Sequence, residues 1–218
     1  MYAVIRKELA DHFSSYRFLI LFALIAMVSL ITAYMSGLNM AKNLESMAKP
    51  KFIVMLMFTS SGAGFSLTDF VSFFGPLIGV ILGFDTVNRE RNEGTLSKLL
   101  SQPIYRDAVV NGKFLAGLTL IAIMMTSILL LVSALGLIII GIVPGMEEVW
   151  RIFIYLIISI FYIAFWLGLA ILFSILFRSV ATSALASIAA WVFFSFFVSL
   201  GANAVASALT PDAGESNP

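Results

Sequence analysis

The sequence contains no cysteine, one histidine and few charged residues, and each shortage excludes a class of chemistry. The absence of cysteine from the 218 residues excludes disulfides and thiolate metal sites. The single histidine, His12, precedes the first long apolar run, which excludes paired haem-ligating histidines and a Ser–His pair within a span. The formal net charge of only +1 gives no basic field for binding nucleic acid.

Charged residues make up 11% of the chain and hydrophobic residues 61%. A soluble domain has about 25% charged and about 45–50% apolar residues, so a soluble core could not hide this excess. The lipid bilayer is therefore the expected solvent for most of the chain. Because every backbone polar group must be satisfied inside a membrane, we expect an all-α integral membrane protein.

Uncharged stretches locate the membrane spans, because an ionised side chain at mid-bilayer costs at least about 2.5 kcal/mol. About five transmembrane helices are visible by this criterion. We predict a single transmembrane domain over residues 1–218, with an N-terminal amphipathic helix at 1–16. The predicted spans are 18–35, 70–87, 114–143, 152–177 and 180–209. Between and after them we predict an outer loop at 36–69, a cytoplasmic loop at 88–113 and an outer segment at 210–218. This boundary rule places Asp69 just outside the second span, in water.

Lysine and arginine are distributed unequally between the two sides of the predicted bundle. Nine lie on the side of the N-terminus and four on the other, which predicts a multi-pass protein of the cell (plasma) membrane with a cytoplasmic N-terminus. The nine are Arg6, Lys7, Arg17, Arg89, Arg91, Lys98, Arg106, Lys113 and Arg178.

Residues 3–14 can form an amphipathic helix on the cytoplasmic surface. The apolar stripe would contain Val4, Ile5, Leu9 and Phe13, with Arg6, Lys7, Glu8 and Asp11 mostly elsewhere. The alternative is that these residues form only a positively charged flank of the first span.

The loop after the second span carries the most informative pattern. A mixed-sign cluster, Arg89, Glu90, Arg91 and Glu93, ends at Gly94, which suits a helix stop or a sharp turn. Three leucines, Leu96, Leu99 and Leu100, then share one helical face before Pro103. A short apolar face beside charges suits docking of a partner protein, although insertion into the lipid interface or packing on the chain's own helices would produce the same pattern.

This loop resembles the signature of ABC-2-type permeases, the membrane subunits of ABC transporters. The matching positions are Glu90, Glu93, Gly94, Thr95, Leu96, Leu99, Leu100, Pro103, Arg106 and Lys113, and Arg6-Lys7-Glu8-Leu9 resembles the opening helix of the family. One position departs from the pattern, because Tyr105 stands where relatives often have Ser or Thr before the arginine.

The resemblance implies that Leu96–Leu100 is a coupling helix that docks on a separate ABC ATPase subunit, with Arg89, Glu90, Arg91 and Glu93 forming charge pairs at that interface. It also implies an exporter that works as a dimer with a second permease copy. ATP and Mg would bind to the ATPase. This chain lacks a P-loop, so we expect it to be non-catalytic and to bind no cofactor: its Gly112-Lys113 pair is followed by Phe114 and has no upstream glycine.

The family fold usually has six spans, and this chain ends where the loop before the last span would begin. We therefore expect 218 residues to be a truncated chain.

Other features leave alternatives open. Gly75, Gly79 and Gly83 form a small-residue stripe that suits helix packing within the bundle, or a dimer seam or translocation path.

An ATP-independent transporter or channel subunit is the main rival function, but it would require ionisable groups at mid-membrane, which the spans lack. An intramembrane enzyme would need catalytic or metal-ligating groups that are also missing, and a membrane scaffold is a further alternative.

Overall fold

A computed structural model of the protein describes residues 2–44, 66–92, 94, 106–141 and 143–209, and the regular elements in these ranges are all α-helices. They are α1 (Tyr2–Phe13), α2 (Tyr16–Leu44), α3 (Leu67–Gly83), α4 (Asn88–Asn92), α5 (Arg106–Ile140), α6 (Met146–Leu176) and α7 (Val180–Leu209). The all-α fold class is confirmed.

Five segments of these helices are long and apolar enough to cross a membrane. They are Phe18–Asn39, Leu67–Asn92, Asp107–Ile139, Met146–Leu176 and Val180–Ser207. The second segment combines α3, the turn at 84–87 and α4, so α4 continues directly from the end of a span.

The loop predicted at 36–69 differs from the structure at both of its ends. Helix α2 continues to Leu44, and α3 begins at Leu67, ahead of the predicted start at 70. The physical reason for the early start is a capping box, in which the Ser66 hydroxyl accepts the Asp69 N–H and the Asp69 carboxylate accepts the Ser66 N–H, each at 3.0 Å. A boundary rule based on charge excludes Asp69 from the helix, although a carboxylate is favourable in a first turn.

Two other helices also begin before the predicted spans, with acidic residues in their first turns. Helix α5 begins at Arg106, where the sequence predicts a helix that runs through Lys113 into the span at 114–143, and α6 begins at Met146, ahead of the span predicted at 152–177. Acidic residues in their first turns, Asp107 in α5 and Glu147 in α6, are compatible with a helix N-terminus although they interrupt the apolar pattern.

The core lies where α5 and α6 pack against α2 and α3. Its most deeply buried large side chains include Ile121 and Met124 from α5 and Ile163 and Leu167 from α6. Helix α7 contacts α3 and α6 through aromatic pairs, Phe73 with Trp191 and Trp166 with Phe194, and its other faces are exposed apolar surface.

Helix α3 approaches α6 closely through its glycine stripe. A Cβ built at Gly79 would lie 2.7 Å from the Ile163 carbonyl oxygen and 2.8 Å from the Leu167 nitrogen. At Gly83 the corresponding distance to the Leu167 carbonyl oxygen is 2.9 Å, and at Gly75 the distance to Ile163 Cγ1 is 3.1 Å. Within this chain the stripe therefore faces α6, where a larger residue would push the two backbones apart.

We expect Gly79→Ala to lower the free energy of unfolding by about 1–3 kcal/mol, because the added methyl group meets backbone atoms that cannot rotate away. Gly201→Ala is the matched control, since a Cβ at Gly201 in α7 has no neighbour within 4 Å. The control should be neutral or slightly stabilising. Thermal unfolding of the two variants in detergent measures the difference, and equal unfolding temperatures would contradict the close α3–α6 contact.

Candidate functional site

A buried ion cluster joins three separate segments of the chain at the end of the bundle that carries α1 and α4 (the α4 end). The Lys113 ammonium lies 2.7 Å from Glu8 Oε1 and 2.9 Å from Glu90 Oε1. The side chains of Lys113, Glu8 and Glu90 are only 2%, 11% and 9% exposed. Lys113 therefore connects α5 to α1 and to α4 at one point.

Charge balance makes this cluster tolerable in a buried position. Lys7 Nζ lies 3.8 Å from the same Glu90 oxygen, so two carboxylates face two ammonium groups. Desolvation of each ion costs several kcal/mol, and close hydrogen-bonded pairing offsets that cost only while all partners are present. The cluster is consequently sensitive to the removal of any single member.

Helical periodicity explains how these charged side chains reach the interior. Glu8 follows Val4 by four residues and Ile5 by three, so it lies on the buried face of α1. Lys113 follows the buried Val109 by four residues on α5. A charged residue in register with an apolar stripe on each of two helices was the sequence signal for this ion pair.

The structure places the predicted site residues of this region differently from the sequence analysis. Glu8 was assigned to the charged side of α1, but it is buried against α5. Glu90 was assigned to a charge pair with a partner protein, yet its carboxylate is bonded to Lys113 of its own chain. Sequence reasoning missed the cluster because its members are separated by up to 105 residues.

Helix α4 is also tied to the turn between α6 and α7. The Ser174 hydroxyl, near the end of α6, accepts the backbone N–H groups of Val87 at 3.0 Å and Asn88 at 3.2 Å. The Asn88 amide donates to the carbonyl oxygen of Ser179, which also accepts the Ser183 N–H at the start of α7. Ser174 and Asn88 are both fully buried.

Arg91 adds a third contact to this turn. Its guanidinium donates to the Phe177 carbonyl oxygen at 3.2 Å and to Asn88 Oδ1 at 3.3 Å. A cation at the carbonyl end of α6 is favourable for the helix dipole. Arg91, which was predicted to pair with a partner protein, thus has bonding partners within its own chain.

Gly94 follows α4 with φ +68°, in the left-handed region that favours glycine. Its N–H donates to the Arg91 carbonyl oxygen at 3.3 Å, and the chain turns sharply at this residue.

Arg89 is exposed on α4, Arg6 and Lys7 are exposed on α1, and Arg106 begins α5. The remaining predicted docking residues lie outside the described residues: Glu93, Thr95, Leu96, Leu99, Leu100 and Pro103.

A cleft of about 1310 Å³ opens beside the ion cluster, between α1, the start of α2 and the end of α3. His12, Asp11 and Asp85 contribute to its polar lining. Burial lowers the pKa of His12 below the usual 6.5, and it outweighs the opposite effect of the carboxylates of Glu8, Asp85 and Asp11. His12 therefore contributes little positive charge to the cleft at neutral pH. Among the described residues, acidic and histidine side chains form no group that could hold a metal ion.

Two comparisons with known proteins bear on this arrangement. A sequence model described as an ABC-2 family transporter protein matches residues 2–215. The chain is also similar to the "Probable ABC transporter permease protein NosY" of Pseudomonas aeruginosa, with 29% identity over 147 residues. That alignment covers 67% of this chain and 48% of the relative, so the chain spans about half the length of the protein it matches.

We expect Lys113→Met to lower the free energy of unfolding by about 3–5 kcal/mol, because it leaves the buried carboxylates of Glu8 and Glu90 without their shared partner. Arg151→Met is the matched control: it breaks the exposed pair of Arg151 with Glu147, which is worth at most about 1 kcal/mol. Thermal unfolding in detergent compares the two variants.

The combined variant Glu8→Gln, Glu90→Gln, Lys113→Met should recover most of the stability lost in Lys113→Met, because it leaves no unpaired buried ion. A Lys113→Met variant as stable as Arg151→Met would contradict the buried cluster.

Proposed function

Because this chain belongs to the ABC-2 family of transporter proteins, we propose that it is the membrane-spanning permease subunit of an ATP-driven ABC transporter. The observation that carries the proposal is that α4 is bonded to several other segments of the bundle. Helix α4 leads through Gly94 into the predicted coupling segment. Contacts of α4 and its preceding turn reach α1, α5, α6 and the turn that precedes α7. A force applied to the coupling segment would therefore reach most of the bundle.

The partner in this proposal is a separate ABC ATPase that binds ATP and Mg. The chain has no P-loop, so hydrolysis would take place on that subunit while this chain remains non-catalytic. Leu96, Leu99 and Leu100 would enter a cleft on the ATPase, and burial of each leucine would contribute about 1.5–3 kcal/mol before ordering costs. Arg89 and Glu93 would supply charges at the rim of that contact.

The same proposal describes how the transporter would work. Two copies of the permease and two ATPases would form the complex, and closure of the ATPases on ATP would push on the coupling segment and on α1. The ion cluster would carry this push from α1 and α4 to α5, which tilts the bundle between inward-open and outward-open states. The direction proposed is export across the cell membrane.

The orientation that this mechanism requires has α1 and α4 in the cytoplasm. The excess of lysine and arginine on that side supports it. The exposed aromatic residues Phe13 and Tyr16, between α1 and the first span, also suit the membrane interface at that end.

The docking assignment is tested with Leu99→Asp, which places a charge on the predicted leucine face. We expect the variant to insert normally into the membrane and to lose co-purification with a P-loop ATPase from the native membrane, identified by mass spectrometry and by ATP hydrolysis. Ser101→Asp is the matched control, because in a helix Ser101 lies on the face opposite the leucines.

Arg91 and Glu90 are unsuitable as single test positions for docking, since their substitution also breaks bonds inside the chain. Retention of the ATPase by Leu99→Asp would reject the docking face. Transport by the purified chain without any ATPase would instead support the ATP-independent alternative.

The orientation is tested by cysteine labelling, because the 218 residues contain no cysteine that would give a background signal. We expect Lys98→Cys to react with a membrane-impermeant maleimide only after the cytoplasmic side is opened. Lys51→Cys, in the predicted outer loop, is the matched control and should react in intact cells. Reaction of Lys98→Cys from outside would overturn the orientation and, with it, the coupling mechanism.

A further inference from the structure

We propose that Ser174 and Asn88 are positioning residues that transmit motion from α4 to α6 and α7, separately from the ion cluster that transmits it to α1 and α5. The inference rests on the proposed function, because it concerns the path that an ATP-driven push would take. It assigns a role to two uncharged residues that are not among the positions matched to the family signature.

Ser174 holds the end of α6 against the segment that precedes α4. Its hydroxyl oxygen accepts two consecutive N–H groups, from Val87 and Asn88, in a site with no solvent exposure at Ser174 or Asn88. Those two amides lie at the junction of the 84–87 turn and α4. Because a buried amide without an acceptor is costly, the junction should move together with Ser174.

Asn88 holds the beginning of α7. Its amide donates to the Ser179 carbonyl oxygen at 3.4 Å, the same oxygen that accepts the first backbone hydrogen bond of α7, from Ser183. Asn88 Oδ1 in turn accepts from Arg91, whose guanidinium also contacts Phe177. The turn at 177–179 is thereby bonded to α4 at both its ends.

The two routes leave α4 through different residues. Glu90 bonds to Lys113 on α5, whereas the backbone N–H and side chain of Asn88 bond to α6 and to the α6–α7 turn. Elsewhere α7 is held mainly by apolar contacts and exposes most of its surface. The hydrogen bonds of Ser174 and Asn88, together with the bond of Arg91 to Phe177, are therefore the directional link by which α4 would steer α7.

The test uses the complex of this chain with the ATPase that co-purifies with it, reconstituted in nanodiscs. Two single-cysteine reporters follow the two routes: Asn111→Cys on α5 and Ala181→Cys on α7, both at exposed positions. The measurement is the rate of reaction with a water-soluble maleimide, with and without ATP and Mg. In the parent chain ATP should change the rate at both reporters.

Ser174→Ala should reduce the ATP-dependent change at Ala181→Cys, because it frees the junction before α4 from α6 while the bond from Asn88 to Ser179 remains. It should preserve the change at Asn111→Cys, with ATP hydrolysis retained. Ser187→Ala is the matched control. Ser187 is also a fully buried serine, but its hydroxyl donates to the Ser183 carbonyl within α7, and it makes no hydrogen bond to a second helix in the described part of the chain. The control should keep both responses.

Asn88→Ala is the second variant, in case Ser174→Ala does not fold. It removes the hydrogen bonds of the Asn88 side-chain amide to Ser179 and Arg91, but it keeps the backbone N–H that donates to Ser174. The same selective reduction at Ala181→Cys is expected.

The possible outcomes separate the inference from the proposed function. Retention of both responses in Ser174→Ala and Asn88→Ala would overturn the inference and leave the proposed function standing. Loss at both reporters in folded variants would overturn the division into two routes. Absence of an ATP response at either reporter in the parent complex would reject the proposed coupling itself, and the inference with it.

Discussion

The lysine ammonium of Lys113, enclosed between the carboxylates of Glu8 and Glu90, constrains the α4 end of the molecule. Three charged groups with little exposure to water are stable only as a set. Each loses its hydration on burial, and only close pairing with the others offsets that desolvation cost. The set requires α1, α4 and α5 to meet at one point. The surface helix and the loop after the second span are therefore parts of one packed unit.

The contacts of Ser174, Asn88 and Arg91 extend this unit to α6 and to the turn between α6 and α7. The turn between α6 and α7 provides carbonyl oxygens at Phe177 and Ser179, and α4 supplies the donors. In the proposed transporter this makes α4 a junction placed directly before the coupling segment. Two chemically different links, one between ionised side chains and one through hydrogen bonds to backbone groups, leave it toward different helices.

The spans were largely predictable because hydropathy is a local property and the bilayer excludes charge over a fixed thickness. Their ends were less so. Asp69 is exposed, as its charge predicts, but its carboxylate also caps the helix that begins at Leu67, so the charge does not mark the helix boundary. The glycine stripe of α3 was visible as a pattern, but only the distances to Ile163 and Leu167 identify α6 as the helix that it faces within this chain.

Composition and pattern alone determined that this protein is an all-helical membrane bundle, and the motif in the loop after the second span indicated its family. Tertiary structure decided what the charged residues of that motif do. Glu8, Glu90 and Lys113 lie far apart in the sequence, so no local rule pairs them, and the same residue types would suit a solvated surface. Only the packing of α1 and α4 on α5 removes water from these side chains, and this burial turns three apparently independent surface charges into one mutually dependent cluster.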